Sequence, residues 1–263
     1  EVLDENSKKV IVKLYQLKDG YTADEKEYAH AVLYRELIIL KCLCNHPSIS
    51  NLIEYDESKN YGIIEFIQGT SLRKFAISKT NQYSLRDVMT IWRQILDSVA
   101  YLHRNDYIHG DLHYSNILLE EGNNVRLIDF GLALHTSEVD SPNIRKGGIH
   151  AFLPPERLND SYFNIVQSNA NISSDIYQVG ILAYILLYRK VPFKAKTWKL
   201  ITLNIKNHLI LFPDTSASGE LIPIKLIECI QKCIHPDIKK RAQNLEPIIR
   251  QVDLLIKKQK KNS

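Results

Sequence analysis

Ile108-His109-Gly110-Asp111-Leu112-His113-Tyr114-Ser115-Asn116-Ile117-Leu118-Leu119, followed by Leu127-Ile128-Asp129-Phe130-Gly131, is the stretch on which the reading of this chain turns. It sets a lone carboxylate at Asp111, an amide five residues later at Asn116, and a second carboxylate thirteen residues further on at Asp129, all in strongly apolar surroundings. Such groups suit Mg²⁺ held on a nucleoside triphosphate, with one carboxylate left to orient a hydroxyl beside the last phosphate. That chemistry asks for metal-neutralised phosphates, an acceptor in line and an orienter for the acceptor's proton. Asp111 suits the orienting role; Asn116 and Asp129 suit the metal.

Outward from this stretch the chain divides by composition. Val10-Ile11-Val12-Lys13-Leu14-Tyr15 alternates as a strand does, and Glu1 to Asp4 reads as the end of a preceding strand. Asp24 to Cys44 reads as a helix, with Val32, Leu33, Leu37, Leu40 and Leu43 at helical spacing and Asn45-His46-Pro47 ending it. Leu52–Tyr55 and Tyr61–Phe66 predict an antiparallel pair across a polar turn. Gly69 marks the break, after which helices dominate. Ser84-Leu85-Arg86-Asp87 is a capping-box-like start for a helix presenting Val88, Ile91, Trp92, Ile95, Leu96, Val99 and Leu102 on one side. Ser174 to Leu187 lacks a polar face and predicts a fully buried helix. Further helices are expected near Lys196–Asn207, Leu221–Ile234 and Leu245–Lys257, with a polar, Asn-rich loop over Asp160–Ser173. The pattern is α+β: a small sheet-rich lobe over residues 1–68, a large helical lobe over 69–258, a basic tail at 259–263, and a cleft between the lobes suited to a nucleotide.

The 263 residues are 44% hydrophobic and 24% charged, with a formal net charge of +4, as in an ordinary water-soluble globular protein. Part of that charge sits in Lys257-Lys258-Gln259-Lys260-Lys261, read as a solvated end, so nucleic acid is not an expected partner. No apolar run reaches membrane-spanning length. Cys42, Cys44, Cys229 and Cys233 lack common zinc spacings and predict buried, reduced thiols in a cytoplasmic setting. Because Glu1 comes first, an excised domain or a processed piece of a larger multidomain chain is expected.

The two motifs resemble the H-R-D-L-x-x-x-N and D-F-G loops of eukaryotic-type protein kinases, and the likeness runs from about Val10 to Gln251. The resemblance implies a bilobal fold with an antiparallel-sheet N-lobe, helix C and a helical C-lobe. It implies ATP and Mg²⁺ as cofactors and a protein substrate. Lys13 falls where the family's lysine meets the α- and β-phosphates, and Glu36 where helix C supplies its carboxylate partner. Ile64 matches the gatekeeper, and Glu65 to Ile67 the hinge that meets adenine. Ser71 matches the position facing the ribose, and Leu118 the floor beneath the base. Asp129 and Asn116 would hold Mg²⁺. Asp175 matches the aspartate that braces the catalytic loop, and His109 the residue supporting Phe130. Pro154-Pro155-Glu156 resembles A-P-E, with Glu156 implied to pair with Arg241.

Four departures accompany the likeness. No glycine precedes Lys13, so the first strand and the glycine-rich loop are missing from this stretch. Ile11 stands for the small alanine that roofs the adenine. Gly110 replaces the arginine before Asp111, the non-RD pattern, which removes a reader of activation-loop phosphate; Thr136, Ser137 and Ser141 are then ordinary loop residues. His113 replaces a lysine that would meet the γ-phosphate, and Ile149 a substrate-loop threonine. Three functions follow: a Ser/Thr protein kinase first; a pseudokinase serving as a binding module; and a small-molecule phosphotransferase of aminoglycoside or choline kinase type, suggested by His113. Trp92 and Trp198 are read as packing residues.

Overall fold

The computed structural model describes residues 2–3, 7–14, 22–43, 46–77, 83–140, 147–159 and 168–261. Cys44, Ser141, Tyr15 and most of the expected Asn-rich loop lie outside the described residues.

The first lobe is a four-stranded antiparallel sheet with one long helix. Strands β1 (Val2–Leu3), β2 (Lys9–Leu14), β3 (Leu52–Asp56) and β4 (Tyr61–Glu65) lie in the order β1-β2-β4-β3. Helix α1 (Ala23–Leu43) packs Leu37, Ile39, Leu40 and Leu43 inward. In the β2–β4 register, Lys13 lies opposite Gly62 and Ile11 opposite Ile64. A side-chain carbon on Gly62 would lie 2.4 Å from a Leu37 methyl. The glycine therefore lets α1 approach the sheet closely at the level of Lys13, which brings the neighbouring Glu36 over the lysine. Cys42 is exposed, contrary to the buried thiol expected, because it falls on the side of α1 away from Leu40 and Leu43.

The second lobe begins at β5 (Thr70–Ser71) and the short helix α2 (Leu72–Ile77), neither of which the sequence pattern predicts. Helix α3 (Leu85–Arg104) starts at the expected capping box: Asp87 N–H donates to Ser84 Oγ at 3.1 Å, and Ser84 N–H to Asp87 Oδ2 at 3.0 Å. Strand β6 (Tyr107–Ile108) leads into the loop bearing Asp111. Strands β7 (Ile117–Leu119) and β8 (Val125–Leu127) form the hairpin into Asp129, β5 pairs with β7, and β9 (Leu134–His135) pairs back to β6. Helix α4 (Ile172–Tyr188) is buried from Ser174 to Tyr188, as expected. It starts two residues before Ser174, where the Asn171 side chain caps it by accepting from Ser174 N–H at 2.9 Å. Trp92 of α3 donates from Nε1 to the Val179 carbonyl at 3.1 Å, satisfying its one polar atom deep in the interface.

Helices α5 (Trp198–Lys206), α6 (Ile224–Cys233) and α7 (Glu246–Lys261) complete the lobe. Helix α6 begins three residues later than Leu221, because Pro223 occupies its N-cap and Leu221 instead bridges to Thr215. Helix α7 runs through Lys261 where a frayed basic tail is expected from 259. Cys229 and Cys233 are free and buried, and burial pushes the Cys229 thiol up to about 11. Among the described residues no helix is long and apolar enough to cross a membrane, and no cluster of three or more His, Cys, Asp or Glu side chains could by itself hold a metal ion.

Candidate active site

A cavity of about 320 Å³ opens between the lobes, lined by Ile11, Lys13, Glu36, Ser50, Ile64, Glu65, Phe66, Ile67, Leu118, Ile128 and Asp129. Ligand sites commonly have volumes of roughly this size and upward. A larger hollow of about 520 Å³ lies beyond Gly69 against Glu120–Asn123, but it holds none of Lys13, Glu36, Asp111 or Asp129. The charge-bearing cleft is the smaller one.

Lys13 Nζ forms an ion pair with Glu36 Oε1, and the same oxygen accepts from Phe130 N–H at 3.1 Å. Glu36 is only 6% exposed, so one buried carboxylate ties the sheet lysine to the Asp129-Phe130 segment. Beside it, Asp129 has φ +62°, a left-handed conformation uncommon outside glycine, and Gly131 N–H donates to its Oδ1 at 3.2 Å. Strain of that kind persists only where the surroundings hold it.

The β7–β8 hairpin brings Asn116 to Asp129. Ile128 N–H donates to the Asn116 carbonyl at 3.0 Å, and Ile117 pairs with Leu127. Asn116 Nδ2 donates to the Asp111 carbonyl at 3.1 Å, which turns its amide oxygen away from that contact. Asp111 Oδ2 lies 3.5 Å from His113 Nε2, while the buried Asp111 Oδ1 has no hydrogen-bond partner among the described residues. Burial works to raise the Asp111 pKa. The His113 contact and the positive field of Arg157 outweigh it and hold the carboxyl below its ordinary value.

The loop carrying Asp111 is braced from below by α4. Asp175, fully buried, accepts from His109 N–H at 2.8 Å, Gly110 N–H at 2.9 Å and His103 Nε2 at 3.0 Å. Gln178, one turn on, accepts from Leu112 N–H at 3.0 Å. The His109 ring packs on Phe130 with centroids 4.8 Å apart, and burial lowers its pKa, keeping it neutral. Gly110 has φ +78°, and a side-chain carbon there would meet the Leu132 carbonyl oxygen at 2.5 Å. Any other residue would be strained at this position, so the missing arginine leaves a backbone shape suited to glycine.

Of the site residues expected from sequence, Lys13, Glu36, Ile11, Glu65, Ile67, Leu118 and Asp129 share the cleft wall. Asp111, Asn116 and His113 lie together on the adjoining loop, linked to the cleft through Ile128. Ser71 does not line the cavity; it sits on β5 opposite Leu118. Glu156 accepts from Arg241 Nη1 and Nη2 at 2.8 and 3.0 Å, the pairing expected between them.

Three contributors escaped the sequence reading. Gln178 shares a face with Asp175 at i, i+3 on an otherwise apolar helix, and that polar pair was a usable signal. Arg157, 1% exposed, donates to the Gly110 carbonyl at 3.3 Å and the Gly147 carbonyl at 3.0 Å, yet no local pattern marks it as buried. Arg126 pairs with Glu65 across the entrance, and Asn51 N–H donates to the same Glu65 oxygen at 2.6 Å.

Comparison with known proteins agrees with this geometry. A family model described as the protein kinase domain matches residues 2–251. R436 of Acanthamoeba polyphaga mimivirus, which carries a serine/threonine-protein kinase name, is 34% identical over 246 residues, covering 89% of this chain and 80% of that protein. The serine/threonine-protein kinase PrkC of Bacillus subtilis is 25% identical over 206 residues, 77% of this chain and 30% of PrkC. An Aurora kinase of Dictyostelium discoideum is 29% identical over 231 residues, 82% of this chain and 56% of that kinase. This chain therefore spans most of the viral relative but about a third to a half of the other two. With the match extending over nearly every residue and the two-lobed cleft at its centre, the chain belongs to the protein kinase family.

Proposed function

We propose that this chain transfers the γ-phosphoryl group of ATP, with Mg²⁺, to a serine or threonine hydroxyl of a protein. The observation that carries the reading is the single carboxylate of Glu36 holding both Lys13 and the Phe130 amide beside Asp129. A lysine ammonium fixed in this way is a preset phosphate contact, which a scaffold kept only for binding would not need. The donor set fits the metal: one carboxylate and one amide oxygen are hard oxygen ligands, and two protein ligands are what Mg²⁺ takes when phosphates complete its shell. The orphaned buried Asp111 Oδ1 fits an acceptor hydroxyl, whose proton would satisfy it.

In this reading, bound ATP and Mg²⁺ supply the phosphoryl group and neutralise its charge. Ile11, Ile64 and Leu118 enclose the base with apolar surface. Glu65 N–H is committed to the Asn51 carbonyl at 3.0 Å, so the base is left the Glu65 carbonyl and the Ile67 backbone. Lys13 holds the α- and β-phosphate oxygens, and Asn116 and Asp129 hold the metal. Asp111, ionised at neutral pH by its depressed pKa, orients the acceptor hydroxyl and takes its proton late. His113, whose Nε2 lies 3.5 Å from Asp111 Oδ2, positions it. Residues 1–68 and 69–258 act as the two lobes, and the free buried thiols suit a cytoplasmic setting.

Two measurements test the reading. ATP with Mg²⁺ raises the melting temperature of the wild-type chain, since a ligand that prefers the native state must stabilise it. Radiolabel from ATP appears on serine or threonine of the chain or of an added protein, and Asp129→Ala loses both effects. A thermal shift without transfer makes the chain a nucleotide-binding pseudokinase; transfer to amino-alcohols alone makes it a small-molecule phosphotransferase.

A further inference from the structure

Arg157 is sealed from water, and its guanidinium is spent on backbone. Nε donates to the Ser168 carbonyl at 3.3 Å, Nη1 to the Gly110 carbonyl at 3.3 Å and Nη2 to the Gly147 carbonyl at 3.0 Å. Those oxygens belong to the approach to α4, the loop carrying Asp111 and the end of the activation segment. The base of the side chain is itself held. Arg157 N–H donates to the Pro154 carbonyl at 3.0 Å, and the neighbouring Glu156 is clamped by Arg241, which also donates to the Ser173 carbonyl at 2.9 Å. Burial lowers the pKa of the guanidinium, while the carboxylates of Asp175, Asp111 and Glu156 work the other way. A buried cation is a poor source of stability, since an apolar side chain of like volume often serves as well. A planar fork whose donors meet separate stretches of backbone is suited instead to fixing their spacing.

Spacing matters at this place. Gly110 immediately precedes Asp111, and Gly147 leads into Gly148, where a side-chain carbon would meet Asp111 Oδ1 at 3.5 Å and a Leu153 methyl at 2.9 Å. A carbon on Gly147 would lie 2.9 Å from a Leu132 methyl, and one on Gly110 would strike the Leu132 carbonyl oxygen. The stretches meet with no room for side chains between them, so their alignment falls to groups that grip the backbone. Asp111 Oδ1, the oxygen assigned to the acceptor hydroxyl, is walled on one side by Gly148. None of Gly110, Gly147, Gly148 and Arg157 lines the nucleotide cavity.

We infer that Arg157 is a positioning residue for phosphate transfer: its guanidinium sets the distance between the Asp111 loop and the Gly147–Gly148 stretch, and with it the seat of the acceptor hydroxyl, without touching the nucleotide. The inference deepens the kinase reading and rests on it for the effect on rate, though not for the joining of the two stretches. Glycine at 110 leaves the loop no side chain with which to reach the segment, and Arg157 grips both from the far side. A misplacement of about 1 Å at the reacting groups can lower the rate about a hundredfold. Slack at this joint therefore appears in kcat and leaves nucleotide binding alone. Lysine is no substitute, because a compact point charge lacks the fork that meets all of these carbonyls in one plane.

Hydrogen exchange and kinetics on the full chain test it, with Arg157→Met and Arg157→Lys. In both variants the amides of 108–112 and 147–153 exchange about tenfold faster or more, while those of Lys9–Leu14 and Tyr61–Glu65 keep the wild-type rate. Transfer to an added protein acceptor loses about a hundredfold in kcat, with the KM for ATP and the thermal shift given by ATP unchanged. In Arg157→Ala, guanidinium ion at a few tens of millimolar restores part of the lost kcat, and ethylammonium at the same concentration does not. Exchange that quickens alike in both lobes or in neither, wild-type kcat in Arg157→Lys, or a KM for ATP that rises as kcat falls overturns the inference. A wild-type chain that transfers no phosphate sinks the kinase reading and the effect on rate with it, while exchange confined to the two stretches keeps Arg157 as their joint. Transfer with unaltered exchange does the reverse.

Discussion

Two aspartates of the cleft are assigned opposite kinds of work, and replacing each separates them. Asp175→Ala removes the acceptor of two backbone N–H groups, His109 at 2.8 Å and Gly110 at 2.9 Å, from a site sealed from water. A buried donor left without a partner costs roughly 1–3 kcal/mol, so two cost roughly 2–6 kcal/mol, about 4 kcal/mol at the centre. Asp111→Asn leaves Oδ1, already without a partner among the described residues, much as before and perturbs only the 3.5 Å contact to His113. Its stability cost should stay below about 1 kcal/mol. Urea unfolding followed by far-UV circular dichroism reads both. With a slope of about 2–3 kcal/mol per molar urea, Asp175→Ala lowers the midpoint by between one and two molar, and Asp111→Asn barely moves it. Phosphate transfer runs the other way: Asp111→Asn loses several orders of magnitude while fully folded. Equal midpoint shifts in the two variants would refute the division between a bracing and a reacting carboxylate.

Two other outcomes follow from the packing. Gly62→Val pushes on Leu37, the side chain next in sequence to Glu36. It should cost about 1–3 kcal/mol in urea unfolding and reduce the thermal shift given by ATP, because α1 can no longer hold Glu36 over Lys13; an unchanged shift would show that the close approach at Gly62 is irrelevant to the lysine. Burial lowers the pKa of His46, His109, His150 and His208, so unfolding at acid pH takes up protons on these groups. Stability is full above the unfolded histidine value of about 6.5 and falls as pH drops toward the depressed folded values, by up to about 1.4 kcal/mol per pH unit for each group. Urea midpoints at pH 7.5, 6.5 and 5.5 measure it, and a midpoint flat across that range would contradict the burial of these rings.

How much of this was legible in the chain depended on the range of the interaction. Helices α3 and α4 were plain because their signals are local: a capping box at Ser84 and Asp87, and an unbroken apolar run after Ser174. Strands β6 and β9 are two residues long and carry no period to read. Thr70–Ile77 was missed because a polar start and a short helix make no amphipathic stripe. Leu221 looked helical by type, but Pro223 settles where the helix begins. In the site, the grouping of Asp111, Asn116 and Asp129 could be read from spacing, since all three lie on one short loop and the hairpin that follows it. The hydrogen bond from Phe130 N–H to Glu36 and the burial of Arg157 could not follow. Each joins segments far apart in sequence, and a surface arginine and a buried one look the same in a string of letters.

The missing arginine before Asp111 bears on how such a cleft is kept in shape. Position 110 is left-handed with no room for a side chain, so nothing projects from it toward the activation segment. The ordering of that segment then falls to other groups. Arg157 reaches the Gly110 and Gly147 carbonyls at once, joining the catalytic loop to the end of the activation segment. Arg35, next to Glu36 on α1, reaches Glu138 at 3.4 Å near its start. The second contact is half-exposed and worth little alone. The first is buried, and its charge is compensated by the fields of Asp175, Asp111 and Glu156. Arg157 thus joins its two segments through buried contacts where Arg35 has only a half-exposed one, and both use groups of the chain itself.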